Sequence, residues 1–169
     1  YYRQSDSGGM PLTHMTYCFL NPIRWLAGQP RYASAFANRK LHTAPGLVDE
    51  EMCVANLVLG DEVIASLTAG FVKPGDVPSW SVTLIGTQAA ADLFPAENSL
   101  GHMVIYRGKE QRTLDFAASA DPFTVQARTF IRALDGPNEC RNSPDESIDD
   151  VRVAEAIVRS AREKRTVQL

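Results

Sequence analysis

Apolar and polar positions along this chain follow two periods, and the switches between them mark out a helix, a run of strands and two further helices. Leu12, Met15, Phe19, Ile23 and Leu26 recur at spacings of three and four, which predicts a helix over residues 11–26. Pro11 suits its first turn, where a missing N–H is harmless, and Gly28 supplies a stop. Pro22 falls inside, where its ring meets the carbonyl of Cys18, so a kink or break is expected there. Period two begins at Arg31–Asn38, with Ala33, Ala35 and Ala37 set against Tyr32, Ser34 and Phe36. Glu50–Leu59 and Glu62–Val72 read as hairpin arms about a Gly60-Asp61 turn. In the second arm Val63, Ala65, Leu67, Ala69 and Phe71 share one face, Ser66 and Thr68 the other. Trp80–Gly86, His102–Arg107 and Thr113–Ala117 are further strands, the last after a Gly108-Lys109 turn.

The helical period returns at Asp121-Pro122, a cap followed by a first-turn proline. Phe123, Ala127, Phe130, Ile131 and Leu134 then form one face before Gly136. Beyond a polar loop over Pro137–Pro144, Ser147 with Asp150 three residues on predicts a capped helix. Ile148, Val151, Ala154, Ile157, Val158 and Ala161 give its stripe, and Thr166–Leu169 is a short extended end. The order predicts a two-layer α+β domain: one open, mostly antiparallel (mixed) sheet of about six strands, with helices on one face. The first hairpin arm is apolar on both faces, Met52, Val54 and Val58 opposite Cys53, Ala55, Leu57 and Leu59. Its far face is expected to meet a second copy, giving a homodimer or a dimer of dimers; a loop folded over it is the alternative.

Composition narrows the classes. The chain has 169 residues, 44% hydrophobic and 22% charged, which excludes wholesale disorder and fibrous structure. Seventeen basic against 20 acidic residues give a net charge of −3 with no basic stripe, so neither nucleic acid nor membrane is an expected partner. Cys18, Cys53 and Cys140 are odd in number and irregular in spacing, fitting a reducing, cytoplasmic setting. The chain opens on Tyr1 with no signal-like segment, so either a segment has been removed or the chain is a piece of a longer protein.

The run Gly8-Gly9-Met10-Pro11-Leu12-Thr13-His14 continuing through Tyr17-Cys18, Asn21-Pro22 and Arg24-Trp25 to Gly28 resembles the opening helix of a known domain. That domain is the C-terminal one of the Gfo/Idh/MocA oxidoreductases, the glucose-fructose oxidoreductase and inositol dehydrogenase relatives. Phe123–Gly136 and the stretch from Asp150 through Glu155-Ala156 and Ser160-Ala161 to Thr166-Val167 resemble its closing helices and strand, so the likeness covers about Tyr2 to Leu169. The resemblance implies an upstream Rossmann domain holding NAD or NADP. It also implies that this single domain, residues 1–169, covers a sugar- or polyol-type substrate and forms dimers through its open sheet face. No G-x-G-x-x-G occurs here, so the nucleotide-binding domain lies outside this chain, which alone is expected to bind no cofactor and to be inactive.

The resemblance also implies where the chemistry would lie. Active relatives carry an Asp followed four residues later by His, or by Tyr in one branch; positions i and i+4 share a helix face and reach one substrate carbon. Here those positions are His14 and Cys18, both departures from the pattern, with Tyr17 one residue off the second. His14 titrates near neutral pH and suits a base. Cys18 titrates higher, at about 8.5, and is otherwise a small buried hydrophobe. A structural histidine at 14 is the plain alternative. The pair also has zinc-ligand spacing, but His42, Cys53 and His102 stand at no fixed spacing to complete a site, so no metal is expected. Asn21 matches a position where the branches carry Asn or Asp and is a candidate substrate contact, as is Arg24, which alternatively is a solvated or ion-paired charge. Trp25 is expected to pack on the sheet. Three readings follow: the substrate-binding and oligomerisation domain of an NAD(P)-dependent oxidoreductase, an inactive relative serving as a ligand-binding or regulatory protein, or a plain dimerisation domain.

Overall fold

The structure, a computed structural model, describes residues 11–12, 17–38, 50–70, 81–96, 99–116, 121–136 and 142–169. Along the chain run α1 (Tyr17–Ala27), β1 (Pro30–Asn38), β2 (Met52–Leu59), β3 (Val63–Gly70), β4 (Val82–Ile85), β5 (Ala90–Ala96), β6 (Ser99–Arg107) and β7 (Glu110–Asp115). They are followed by α2 (Pro122–Asp135), α3 (Pro144–Glu163) and β8 (Val167–Gln168). The fold is α+β with every described ladder antiparallel. In place of one sheet of about six strands there are two sheets of four, ordered β3-β2-β1-β8 and β4-β5-β6-β7. They belong to two compact units, residues 1–72 with 141–169, and residues 73–140.

The first unit holds the core. Period-two patterning puts Ala33 and Ala35 of β1, Cys53, Ala55, Leu57 and Leu59 of β2, and Leu67 and Ala69 of β3 on one buried face. Val153, Ala156 and Ile157 of α3 cover it. The alanines are small because α3 lies directly on β1; a longer side chain at 33 or 35 would hold the helix off the sheet. β8 pairs only with Tyr32 and Ala33. The N–H of Ala35 lies beyond it and donates instead to Ser160 Oγ at 2.9 Å, while that hydroxyl donates to the Arg165 carbonyl at 2.6 Å.

α3 starts one turn earlier than its pattern predicts. The cap is Ser143, not Ser147: Ser143 Oγ accepts from the Glu146 N–H and Glu146 Oε2 accepts from the Ser143 N–H, with Pro144 in the first turn. That reciprocal box satisfies two otherwise orphaned donors at once. The buried stripe is Asp150, Val153, Ala156, Ile157 and Ser160, leaving Ile148 and Val151 exposed. The stripe combines the branched Val153 and Ile157 with the small Ala156 and Ser160, which let the helix lie close to β1.

α1 runs through Pro22 without ending and stops at Gly28, whose φ of +86° favours glycine and whose N–H donates to the Arg24 carbonyl. Its inward side is Leu20 and Arg24, with Ile23 and Ala27 half-buried. Leu26, expected in the stripe, is exposed, and Trp25, expected on the sheet, is 65% exposed. One step of about 100° separates the two phases. The β2–β3 loop spans three residues, with Glu62 left-handed at φ 64°. Gly60 is needed for a different reason, since a Cβ there would stand 3.1 Å from the Ala27 carbonyl.

In the second unit, β5 is a strand that the pattern misses. Its sequence AADLFPA is rich in alanine and carries Pro95, and its pairing with β6 shifts register between Phe94 and Ala96. β7 opens at Glu110, three residues before its expected start. α2 is capped as predicted, Asp121 accepting from the Thr124 N–H at 2.8 Å with Pro122 in the first turn. None of its residues is buried, so the expected helix layer consists of α1 and α3 alone among the described helices. Trp80 and Cys140 lie outside the described residues.

Candidate functional site

Of the helix predicted over residues 11–26, α1 covers the part from Tyr17 onward. His14 lies outside the described residues; Tyr17 and Cys18 form the first turn of α1. One turn on, Asn21 Nδ2 donates to Asn142 Oδ1 at 3.2 Å, and Ser147 Oγ donates to the same oxygen at 3.1 Å. Asn21 is thereby tied to the start of α3.

Arg24 is buried, and each of its guanidinium nitrogens has a partner. Nε donates to Gln29 Oε1 at 2.8 Å, Nη1 to the Glu146 carbonyl at 2.8 Å and to Asp150 Oδ1, and Nη2 to Asp149 Oδ2 at 3.1 Å. Asp150 is buried beside it, whereas Asp149 is more open and also accepts from Arg152 Nη1 at 2.9 Å. The cost of taking a guanidinium out of water is offset where carboxylates and carbonyls replace its hydration, and this set does so. The fork that was a candidate substrate contact thus joins α1 to α3.

Sequence reasoning missed Gln29, Asn142 and Asp149, and it gave Asp150 a role in a helix cap. The available signal was an acidic pair interrupting the apolar stripe of α3. Cys53 is a buried cysteine on the core face of β2. Burial, reinforced by the Glu50 charge, pushes its pKa up to about 12, so it has no nucleophilic character at neutral pH. In the second unit His102 Nδ1 stands 3.7 Å from Asp115 Oδ1 across β6 and β7. Among the described residues no three His, Cys, Asp or Glu side chains gather as metal ligands, and no helix is long and apolar enough to cross a membrane. An open groove of about 670 Å³ runs along α3 beside β8, lined by Asp149, Arg152, Glu155 and Arg159 among others.

The sheet's other face is apolar in patches. Phe36 pairs with Val54, and Tyr32 with Val58, which in turn pairs with Ile64. Phe36 is 70% and Ile64 72% exposed, around a polar centre of Ser34, Asn56 and Ser66.

The model of one protein family, described as "Oxidoreductase family, C-terminal alpha/beta domain", matches residues 2–169. Among solved structures, levoglucosan dehydrogenase in complex with NADH is similar at 15% identity and a TM-score of 0.84, over 99% of this chain and 53% of that one. The aldose-aldose oxidoreductase of Caulobacter crescentus complexed with glycerol gives 23% identity and a TM-score of 0.75, over 95% and 48%. An oxidoreductase of Agrobacterium radiobacter, in complex with NAD+, L-tartaric acid and magnesium, gives 16% and 0.75, over 96% and 50%. At these identities the likeness is one of fold. The chain spans about half the length of each of these structures. No curated protein matches the sequence.

Proposed function

Since the chain belongs to the Gfo/Idh/MocA oxidoreductase family, as its C-terminal α/β domain, we propose that it is the substrate-covering and self-associating half of an NAD(P)-dependent oxidoreductase acting on a sugar- or polyol-type alcohol or carbonyl. The observation that carries this reading is a family match running from residue 2 to residue 169. The sequence contains no G-x-G-x-x-G to cradle a dinucleotide's pyrophosphate. The nucleotide belongs on an upstream domain, where its chemistry when bound is to exchange hydride with the substrate carbon.

On this chain the work is proton transfer and orientation. In the oxidative direction the carbinol O–H gives its proton to the imidazole of His14, which is mostly neutral above its unperturbed pKa of about 6.5. Cys18, four residues on, and Tyr17, one residue off it, are the further candidates, and Asn21 offers an amide to a substrate hydroxyl. Arg24 holds the helix. Self-association proceeds through the face bearing Phe36 and Ile64, whose exposure supports an interface. A cytoplasmic setting accords with three cysteines at irregular spacings.

A second reading has its own support, because His14 and Cys18 replace the groups that active relatives carry. Under it the protein binds a ligand and signals without turnover. One assay on the intact reading frame separates the two: NAD+ or NADP+ with a panel of polyols and aldoses. Turnover supports the oxidoreductase, tight nucleotide binding without turnover supports the regulator, and absence of both overturns both.

A further inference from the structure

We propose that Arg24 is a positioning residue: by joining α1 to α3 it sets the rotation of α1 and hence where positions 18 and 21 fall around the helix axis. This rests on the reading of α1 as the helix that bears the acid/base groups.

Residues 17–27 form one helix, so its side chains turn together. Arg24 is buried in that helix and reaches four partners, three of them on α3. Asn21 adds a second tie through Asn142, which also accepts from Ser147. Apolar contacts at Leu20 and Ile23 hold the helix down but tolerate rolling, whereas a planar fork engaged at Nε, Nη1 and Nη2 does not. With Arg24 facing inward, positions 21 and 18 lie about 60° and 120° round the axis from it. A helix roll of about 10–20° exceeds the tolerance of a catalytic arrangement, and a displacement of about 1 Å lowers turnover by about 100-fold. Asp149 links this clamp to solvent, because it also accepts from the exposed Arg152.

The test has two arms. In the first, ¹H–¹⁵N spectra of this chain are compared for the wild type, Arg24→Lys, Asp149→Asn and Ile157→Val, each at the same interval below its own melting temperature. Lysine keeps the charge and loses the fork; the Ile157 variant loosens the core without touching the clamp. Signals of residues 17–21 shift in Arg24→Lys, shift less in Asp149→Asn and stay in place in Ile157→Val. Equal shifts in all three variants, or none in Arg24→Lys, would overturn the proposal. The second arm uses the intact protein with NAD+ or NADP+, and D-glucose and myo-inositol as probes. Arg24→Lys lowers kcat by about 10- to 100-fold with KM within about twofold of wild type. A raised KM at unchanged kcat would place Arg24 on the substrate and overturn the proposal. If the wild-type protein turns over neither probe, the functional reading fails for these substrates, and the spectra alone decide the clamp.

Discussion

Asp150→Ala tests the energetics of the joint between α1 and α3. The substitution removes a buried carboxylate from Arg24 and leaves a guanidinium that is itself almost wholly out of water. Breaking a buried pair by removing one partner costs about 3–5 kcal/mol, because the survivor keeps its desolvation penalty. Here Asp149 and the Glu146 carbonyl still contact Arg24, so the loss falls at the low end, about 3 kcal/mol. Asp149→Ala removes a carboxylate with 37% of its side chain exposed, where solvent screening reduces the effect to about 1 kcal/mol or less. Replacing both members of the buried pair, Arg24→Met with Asp150→Leu, restores most of the stability, since no charge is then left buried. Urea unfolding followed by circular dichroism measures all three, with the single changes completing the cycle. Equal losses for Asp149→Ala and Asp150→Ala, or a double variant weaker than either single one, would refute the reasoning.

Other expectations follow from the same packing. Ser160→Ala leaves the Ala35 N–H without its acceptor and costs about 1–3 kcal/mol by urea unfolding; a loss near zero would mean that the hydroxyl is not needed there. Cys53 titrates at about 12 in the folded chain against an ordinary 9.0, so its contribution is complete below pH 9 and declines as pH rises toward 12. The wild type therefore loses more stability than Cys53→Ala over that range, and the folded thiol resists iodoacetamide at pH 8 until urea unfolds the chain. Phe36→Asp, on the open sheet face, yields folded monomers in sedimentation velocity at tens of micromolar. A wild-type chain that is already monomeric there would contradict the proposed interface.

Where local chemistry decides structure, the sequence was readable. Ala33, Ala35 and Ala37 marked the core face of β1 by period two, and Asp121-Pro122 marked a helix start that the structure keeps. Legibility failed where distant contacts select among local options. Ser143 and Ser147 are both competent caps, and the Glu146 side chain chooses the first. The stripe of α3 turned on Ala156 and Ser160, whose value lies in the closeness of β1. β5 was hidden by alanines and Pro95, because its strand character comes from pairing with β4 and β6 on either side. At the candidate site the helix was legible from its spacing. The partners of Arg24 were not, since Asp149 and Asp150 stand more than 120 residues away in sequence.

The account stands most directly on the role of residue 14 in the intact protein. The decisive measurement is nucleotide reduction at 340 nm by that protein with its best polyol, for wild type and His14→Ala, alongside the nucleotide Kd of each. Loss of a positioned acid/base group lowers kcat/KM by about 100- to 10,000-fold while nucleotide affinity stays unchanged. A variant that turns over at the wild-type rate would contradict the account.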